Sequence, residues 1–337
     1  MLARSTRSTL ALAGLVALVL SGCGKKSPTA VDTTGTGGSA ADQAAITSTV
    51  ASTTALVDDG LMEANDQALF SAAPTGSAAA IKPLRFWRRI TSIKRSFDFA
   101  VSDTDTTGRP TRAIVTVHKV LSGTFNIAFD ATPNDTMRFD SVATVSKPLN
   151  DLWVRKILLR RVHRDAHGDM VMGSGPEEGH DGRHDDEWKV AGISGVDVRS
   201  FDPSQIHEGP AYGLTAISSI HIQSASLDTT IMDPLQFYML RRIHSFGPAE
   251  DVTLTVTTGS NTDVVVLVRA GMRRRFTNNG DKTYTLTWHT SAEGGVRHFG
   301  VNALSNGTLF DDQSPYDSDA WIFPYVIRPN LCADYLP

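Results

Sequence analysis

Two stretches decide the fold: Leu152–Val162, reading LWVRKILLRRV, and Glu187–Val198, reading EWKVAGISGVDV. The first is long, apolar and laced with arginine. In the second, Trp188, Val190, Val196 and Val198 share one parity, with Gly192 and Ser194 between them. Period two puts such side chains on one face of a strand. The polar residues 163–187 join the two stretches, so an antiparallel pair about a long loop is expected. Upstream, Phe125, Ile127 and Phe129 alternate with Thr124, Asn126 and Ala128, another half-buried strand. Residues 112–121 make a strand before it, joined across Ser122-Gly123.

A helix precedes these strands. Ile46, Val50, Val57, Leu61, Ala64 and Ala68 recur at spacings of three and four, with Thr53 filling the remaining turn. That spacing lines one helix face. Asp42 stands near the start as a cap, and Asp58-Asp59 falls on the other side. Leu84–Ile93, carrying Phe86 and Trp87, is expected to be a second short helical or irregular segment. One helix followed by antiparallel strands indicates an α+β layer. The element order and the EWKVAGISGV strand resemble the cone-shaped NTF2-like domains, in which a helix packs in the concavity of a bent antiparallel sheet. The resemblance covers roughly residues 42–200, and cystatin-like folds share the same order.

Asp202-Pro203, Gly209-Pro210 and Gly213 interrupt the pattern between Phe201 and Leu214, where a boundary is expected. Beyond it Val252, Leu254 and Val256 alternate with threonines, as do Tyr284, Leu286 and Trp288. Val264–Val268 is apolar on both faces, which suits a central strand. Gly259-Ser260-Asn261, Asn278-Asn279-Gly280 and Asn306-Gly307 supply turns. Short strands at this spacing indicate a β-sandwich, of immunoglobulin-like or fibronectin-like look but without the Cys…Trp…Cys spacing of antibody domains. The expected fold class is therefore an α+β N-terminal domain, helix on bent antiparallel sheet, at 42–200, followed by an all-β sandwich domain at 205–337.

The N-terminus has a different character. Arg4 and Arg7 precede an apolar run, Leu10–Leu20, and then Ser21, Gly22 and Cys23. Eleven apolar residues are too few to span a bilayer, which takes about twenty. The segment reads as a signal peptide, residues 1–22, removed on export. Leu20-Ser21-Gly22-Cys23 resembles the bacterial lipobox. That resemblance implies that Leu20, Ser21 and Gly22 are read by the signal peptidase and that Cys23 carries diacylglycerol and becomes the acylated first residue. Residues 23–41 are poor in apolar side chains and are expected to be a disordered tether. The membrane is thus the expected partner, through the N-terminal lipid. The expected location is the bacterial cell envelope, with the outer membrane favoured in a two-membrane cell, since Gly24 is not the aspartate of inner-membrane retention.

Removing 22 residues from 337 leaves 315, and loss of Arg4 and Arg7 takes the formal charge from −4 to −6. A mildly acidic body of this kind lacks the electrostatic footprint of a nucleic-acid binder. The clusters Arg88-Arg89, Arg160-Arg161, Arg241-Arg242 and Arg273–Arg275 are expected at solvated strand edges. With Cys23 committed to lipid, Cys332 has no partner within the chain, so the fold must stand without a disulfide.

Chemistry concentrates in the loop 163–187. His163, His167, His180 and His184 stand there among many carboxylates, a set able to ligate zinc, nickel or copper, while the carboxylates alone suit calcium. Five glycines, at 168, 173, 175, 179 and 182, favour a solvated hairpin tip instead, with at most weak divalent-metal binding and no other cofactor. Asp311, Asp312, Asp317 and Asp319 surround Pro315-Tyr316 and read as turn formers. No Gly-x-Ser-x-Gly elbow, His-Glu-x-x-His helix, Walker loop or strand-linked dinucleotide fingerprint occurs. The expected role is a binding or structural module. A small-ligand carrier or an enzyme, using a cavity beneath the helix of the N-terminal domain, is the alternative.

Overall fold

The computed structural model describes residues 32–36, 38–53, 60–63, 67–69, 81–131, 141–164, 170–171, 187–203, 215–269 and 272–328. The chain is mostly strand. In order the first half runs β1 (Asp32–Thr36), α1 (Ala40–Ser52), β2 (Gln67–Leu69), β3 (Pro83–Thr104), β4 (Pro110–Asp130), β5 (Val142–Arg164), β6 (Met170–Val171) and β7 (Glu187–Ser200). The second half continues with β8 (Ile217–Ser224), β9 (Asp228–Ile231), β10 (Phe237–Met239), β11 (Ser245–Phe246), β12 (Asp251–Thr258) and β13 (Val264–Arg269). It closes with β14 (Met272–Arg275), β15 (Thr277–Asn278), β16 (Thr283–His289), β17 (Gly295–Leu304), the short helix α2 (Asn306–Phe310) and β18 (Ser318–Ile327).

The main sheet has the order β1-β3-β4-β5-β7-β18-β17-β13-β14, and a second sheet the order β15-β16-β12-β8-β9. Pairing is antiparallel except for β1 on β3 and β11 on β18. β5 and β7 pair as the two opening stretches suggested, with register shifts near Arg155 and Leu158. Strands on either side of 204–214 also pair with each other: β7 lies against β18, Val196 opposite Ile322. Residues 31–337 form one compact unit. The segments 42–200 and 205–337 therefore share one sheet, because an apolar strand buried on both faces needs a neighbour on each side.

Three further expectations are corrected. Leu84–Ile93 is strand within β3, not a short helical or irregular segment. Ser122-Gly123 is a bend inside the continuous β4, not a turn between two strands. There β3 and β4 approach so closely that a Cβ on Gly123 would stand 2.0 Å from the Arg89 carbonyl oxygen, and β3 carries a bulge between Ile90 and Ser92 opposite. A bulge bends a strand and flips its side-chain parity. This explains why Phe86 and Phe97, of opposite parity, both face inward. The helix is also shorter than its periodicity: α1 ends at Ser52, Leu61 and Met62 lie in a turn that begins at Gly60 with φ +66°, and Ala68 is in β2. Val57 and Ala64 lie outside the described residues. The C-cap of α1 is Thr53, whose N–H donates to the Val50 carbonyl, and the left-handed Gly60 opens the turn 60–63 without strain. Ser39 is the N-cap, accepting from Asp42 N at 3.1 Å while the Asp42 carboxylate accepts from Ser39 N at 3.3 Å.

The core has three parts. Ile46 and Val50 of α1, with Leu61 and Met62, cover Phe97, Phe99, Val115, Val117, Trp153 and Ile157. At the other end of the same long strands Phe86, Phe125, Ile127 and Leu149 pack with Leu309 and Phe310 of α2 and with Tyr316. Between the two sheets Leu254, Val256, Tyr284 and Trp288 meet Phe299, Val301, Trp321 and Phe323. Each such buried side chain contributes about 1.5–3 kcal/mol. All ten residues of β18 are buried. Trp321, Phe323 and Tyr325 feed the inter-sheet core, and Ala320, Ile322 and Val326 feed the core under α1.

Candidate functional site

Polar chemistry concentrates at two buried places and one open one. The first is a belt of charge across the inner face of the long strands, between the core under α1 and the core around α2. Lys119 of β4 and Asp151, Trp153 and Arg155 of β5 follow the inward parity set by Leu121 and Ile157, and the bulge in β3 turns Arg88 the same way. Arg88, Lys119, Asp151 and Arg155 are each only 1 % exposed. Arg88 pairs with Asp151 through Nη2 and donates from Nη1 to the Met62 carbonyl at 3.0 Å. Lys119 donates to Glu63 Oε1 at 2.5 Å and stands 4.3 Å above the Trp153 ring. The Arg155 guanidinium is 5.6 Å from the same ring. The Tyr316 hydroxyl reaches Asp151 Oδ2 at 3.4 Å. The belt thus fastens the turn 60–63 onto the sheet. Such pairs cost desolvation nearly equal to their attraction, but losing one partner strands a buried charge.

The second place is the junction of the two sheets. Asp317 Oδ2 accepts from Thr215 N at 3.2 Å and from Thr215 Oγ1 at 3.0 Å, and Asp319 Oδ2 accepts from Ile217 N at 2.7 Å. The entry to β8 is therefore pinned to β18 by carboxylates. Burial pushes the Asp319 carboxyl up to about 7, helped by the neighbouring charges of Asp197 and Asp317, against its backbone hydrogen bond and Arg199. Burial also raises Asp197 on β7 and Asp263 ahead of β13. Asp319 Oδ1 has no hydrogen-bond partner among the described residues. Expected as turn formers, Asp317 and Asp319 instead sit at 9 % and 2 % exposure. Asp311 does behave as expected, its carboxylate accepting from Gln313 N at 2.9 Å and Ser314 Oγ at 2.6 Å. Beside it Lys147 donates to the carbonyls of Gly307 at 2.9 Å and Asp311 at 2.6 Å, and burial lowers its ammonium to about 8.

The open place is a cleft of about 610 Å³ at the start of α1. Ser39 and Asp42 line one side, Val101 and Ser102 of β3 and Arg109 of the following turn another, and Arg161 of β5 the floor. Its charges are engaged with each other. Arg161 pairs with Asp42 and stacks 4.9 Å from the Trp188 ring, and Arg109 pairs with Asp105 at 3.2 Å. Burial raises the Asp42 carboxyl, but the Ser39 hydrogen bonds and the Arg161 charge outweigh it and hold the group below its ordinary value.

Of the residues singled out in the sequence, His163 lies in β5 opposite Val171 of β6. His167, His180 and His184 lie outside the described residues, as do Leu20, Ser21, Gly22 and Cys23. Among the described residues no group of three His, Cys, Asp or Glu is arranged to hold a metal ion. No described helix is long and apolar enough to cross a membrane. Arg88 departs from the expectation of a solvated edge, because strand alternation sends Arg89 outward and Arg88 inward. Inward parity beside Leu121 and Ile157 was the signal that could have found the belt. No protein-family model, curated protein or solved structure matches this chain.

Proposed function

We propose that this chain is a lipid-anchored protein of the bacterial cell envelope that acts as a binding or structural module. The observation that carries the reading is how the inner face of the long strands is used: α1 and the turn 60–63 fill it, Arg88 pairs with Asp151 and Lys119 with Glu63, and Arg88 Nε and Asp151 Oδ1 stay buried without a hydrogen-bond partner among the described residues. A carrier or an enzyme needs convergent polar groups held open to a ligand. Here those groups are buried, not held open. The helix-on-sheet layer at 42–200 is, in this reading, an α+β element of NTF2-like or cystatin-like type whose concavity is packed, and 205–337 supplies an immunoglobulin-like sandwich that shares its sheet. The lipobox at Leu20–Cys23 supports the anchor, since two or three acyl chains hold far more firmly than one.

The test is fractionation of full-length protein and Cys23→Ser in a bacterial host, with the mass of the N-terminal peptide. Wild type should partition into detergent carrying acyl mass on Cys23, and the variant should remain an uncleaved or unanchored precursor. Unchanged partitioning of Cys23→Ser refutes the anchor. The carrier alternative draws its support from the cleft of about 610 Å³. Native mass spectrometry of the purified protein revealing a stoichiometric small molecule, released by Arg161→Ala, would replace the present reading with that one.

A further inference from the structure

Between Lys82 and Phe97 the chain carries six cations and no carboxylate. One of them, Arg88, is buried in the belt; the others, Lys82, Arg85, Arg89, Lys94 and Arg95, are exposed. They lie in or just before β3, close to the edge of the main sheet: β4 covers one side of β3 along its length, while on the other β2 covers Arg85–Trp87 and β1 covers Ser96–Ala100. Apolar side chains accompany the charge. Ile93 is 37 % exposed, and the half-buried Trp87 ring lies 5.3 Å from the Arg85 guanidinium. The next carboxylates along β3 have cationic or imidazole partners, Asp98 with His118 at 2.9 Å and Asp103 with Arg112 at 3.8 Å. In a body of formal charge −6 this is a local concentration of opposite sign.

The chain itself gives the direction of this edge. β1 runs parallel to β3 with Asp32 opposite Ser96, so the N-terminal end of β1 stands beside Arg95, Lys94 and Ile93. Nine peptide units separate Cys23 from Asp32, a reach of about 30 Å at most. An acyl group on Cys23 therefore keeps that end of the fold close to the bilayer.

We propose that the basic edge of β3 docks on the anionic phospholipid headgroups of the leaflet that holds the anchor. The proposal rests on the lipid-anchor reading for its orientation, and on exposed charge for its chemistry. Exposed lysine and arginine attract an acidic surface within about a Debye length, and tryptophan sits well at the interface. The short segment between Cys23 and β1 supplies proximity and the edge fixes which face turns toward the membrane, so acyl chains and cations act together as two signals.

The experiment has two arms. In the first, the mature chain from Gly24, which retains the whole compact unit 31–337, is sedimented with phosphatidylcholine vesicles with and without phosphatidylglycerol. Binding should require phosphatidylglycerol and weaken with added salt. Arg89→Gln, Lys94→Gln and Arg95→Gln should each weaken it about five-fold, with the circular dichroism and melting temperature of wild type. Equal binding to neutral vesicles, or binding untouched by the three substitutions together, overturns the surface. So does tighter binding to duplex DNA than to the acidic vesicles. In the second arm, the full-length protein is extracted from membranes and weighed. Missing acyl mass on Cys23 overturns the orientation argument, whereas acyl mass with no phosphatidylglycerol dependence in the first arm overturns the docking edge and leaves the anchor standing.

Discussion

Replacing Asp319 with asparagine removes a buried titratable group while keeping its size and the oxygen that accepts from Ile217 N. The unfolded chain releases the Asp319 proton near the ordinary value of 3.8, and burial delays that release to about 7 in the folded chain. Between those values the folded state holds one proton more than the unfolded state, so stability falls as pH rises, by about 1.4 kcal/mol per unit. Above about pH 7 the whole penalty, about 4 kcal/mol, is in place. Asparagine does not titrate. Asp319→Asn should therefore be close to wild type at pH 4, ahead by roughly 1.5 kcal/mol at pH 5 and ahead by about 4 kcal/mol at pH 8. Urea unfolding of the mature chain at the three pH values measures the difference directly. Two stability curves running parallel from pH 4 to pH 8, or a variant that loses ground as pH rises, would refute a buried, proton-holding Asp319.

The charged belt yields a paired prediction. Arg88→Met leaves the Asp151 carboxylate buried beside no guanidinium and should cost about 3–5 kcal/mol, while Arg88→Met with Asp151→Leu should regain most of it in the same denaturant assay. A double variant no more stable than the single one shows that the pair is not the source of the loss. Gly123→Ala should destabilise by roughly 3 kcal/mol or abolish folding, because its Cβ would meet the Arg89 carbonyl at 2.0 Å; an unchanged melting temperature contradicts the close approach of β3 and β4. For the histidine loop, zinc titration calorimetry on wild type and on the combined variant His163→Ala, His167→Ala, His180→Ala and His184→Ala should give micromolar or weaker binding and no change of melting temperature after chelation. Ordering a glycine-rich loop costs about 1–2 kcal/mol per residue, and nanomolar zinc binding abolished by the variant would show that the loop is a metal site.

Much of the strand pattern was legible because period two survives wherever one face is buried. Leu152–Val162 against Glu187–Val198, and Val252–Val256 against Tyr284–Trp288, are both antiparallel neighbours. What misled were residues whose meaning depends on a distant partner. Ser122-Gly123 reads locally as a turn, and only the carbonyl of Arg89 across the ladder makes it a bend. α1 stops at Ser52 and is capped at Thr53, although periodicity alone would carry it to Ala68. Arg88 and Asp319 read as surface residues by type, yet their parity is that of the apolar residues beside them, and the groups that make burial tolerable, Asp151 and the Ile217 backbone, lie 63 and 102 positions away. Likewise no local signal announces that β18 serves two cores, since both its faces are apolar and a strand of that kind does not say what covers it.

That last strand bears on the order of folding. β7 finds its partner in β18, about 120 residues further along the chain, at the C-terminal end of the described fold. A chain emerging N-terminus first during synthesis presents the inner face of β7 and the lid of α1 while their neighbour is still missing. Closing so wide a loop is slow, and the contacts that reward it come only afterwards. The polypeptide is thereby kept from locking into its final form until nearly all of it has emerged. A nonsense codon anywhere before Ser318 would leave a chain whose sheet cannot close at β7.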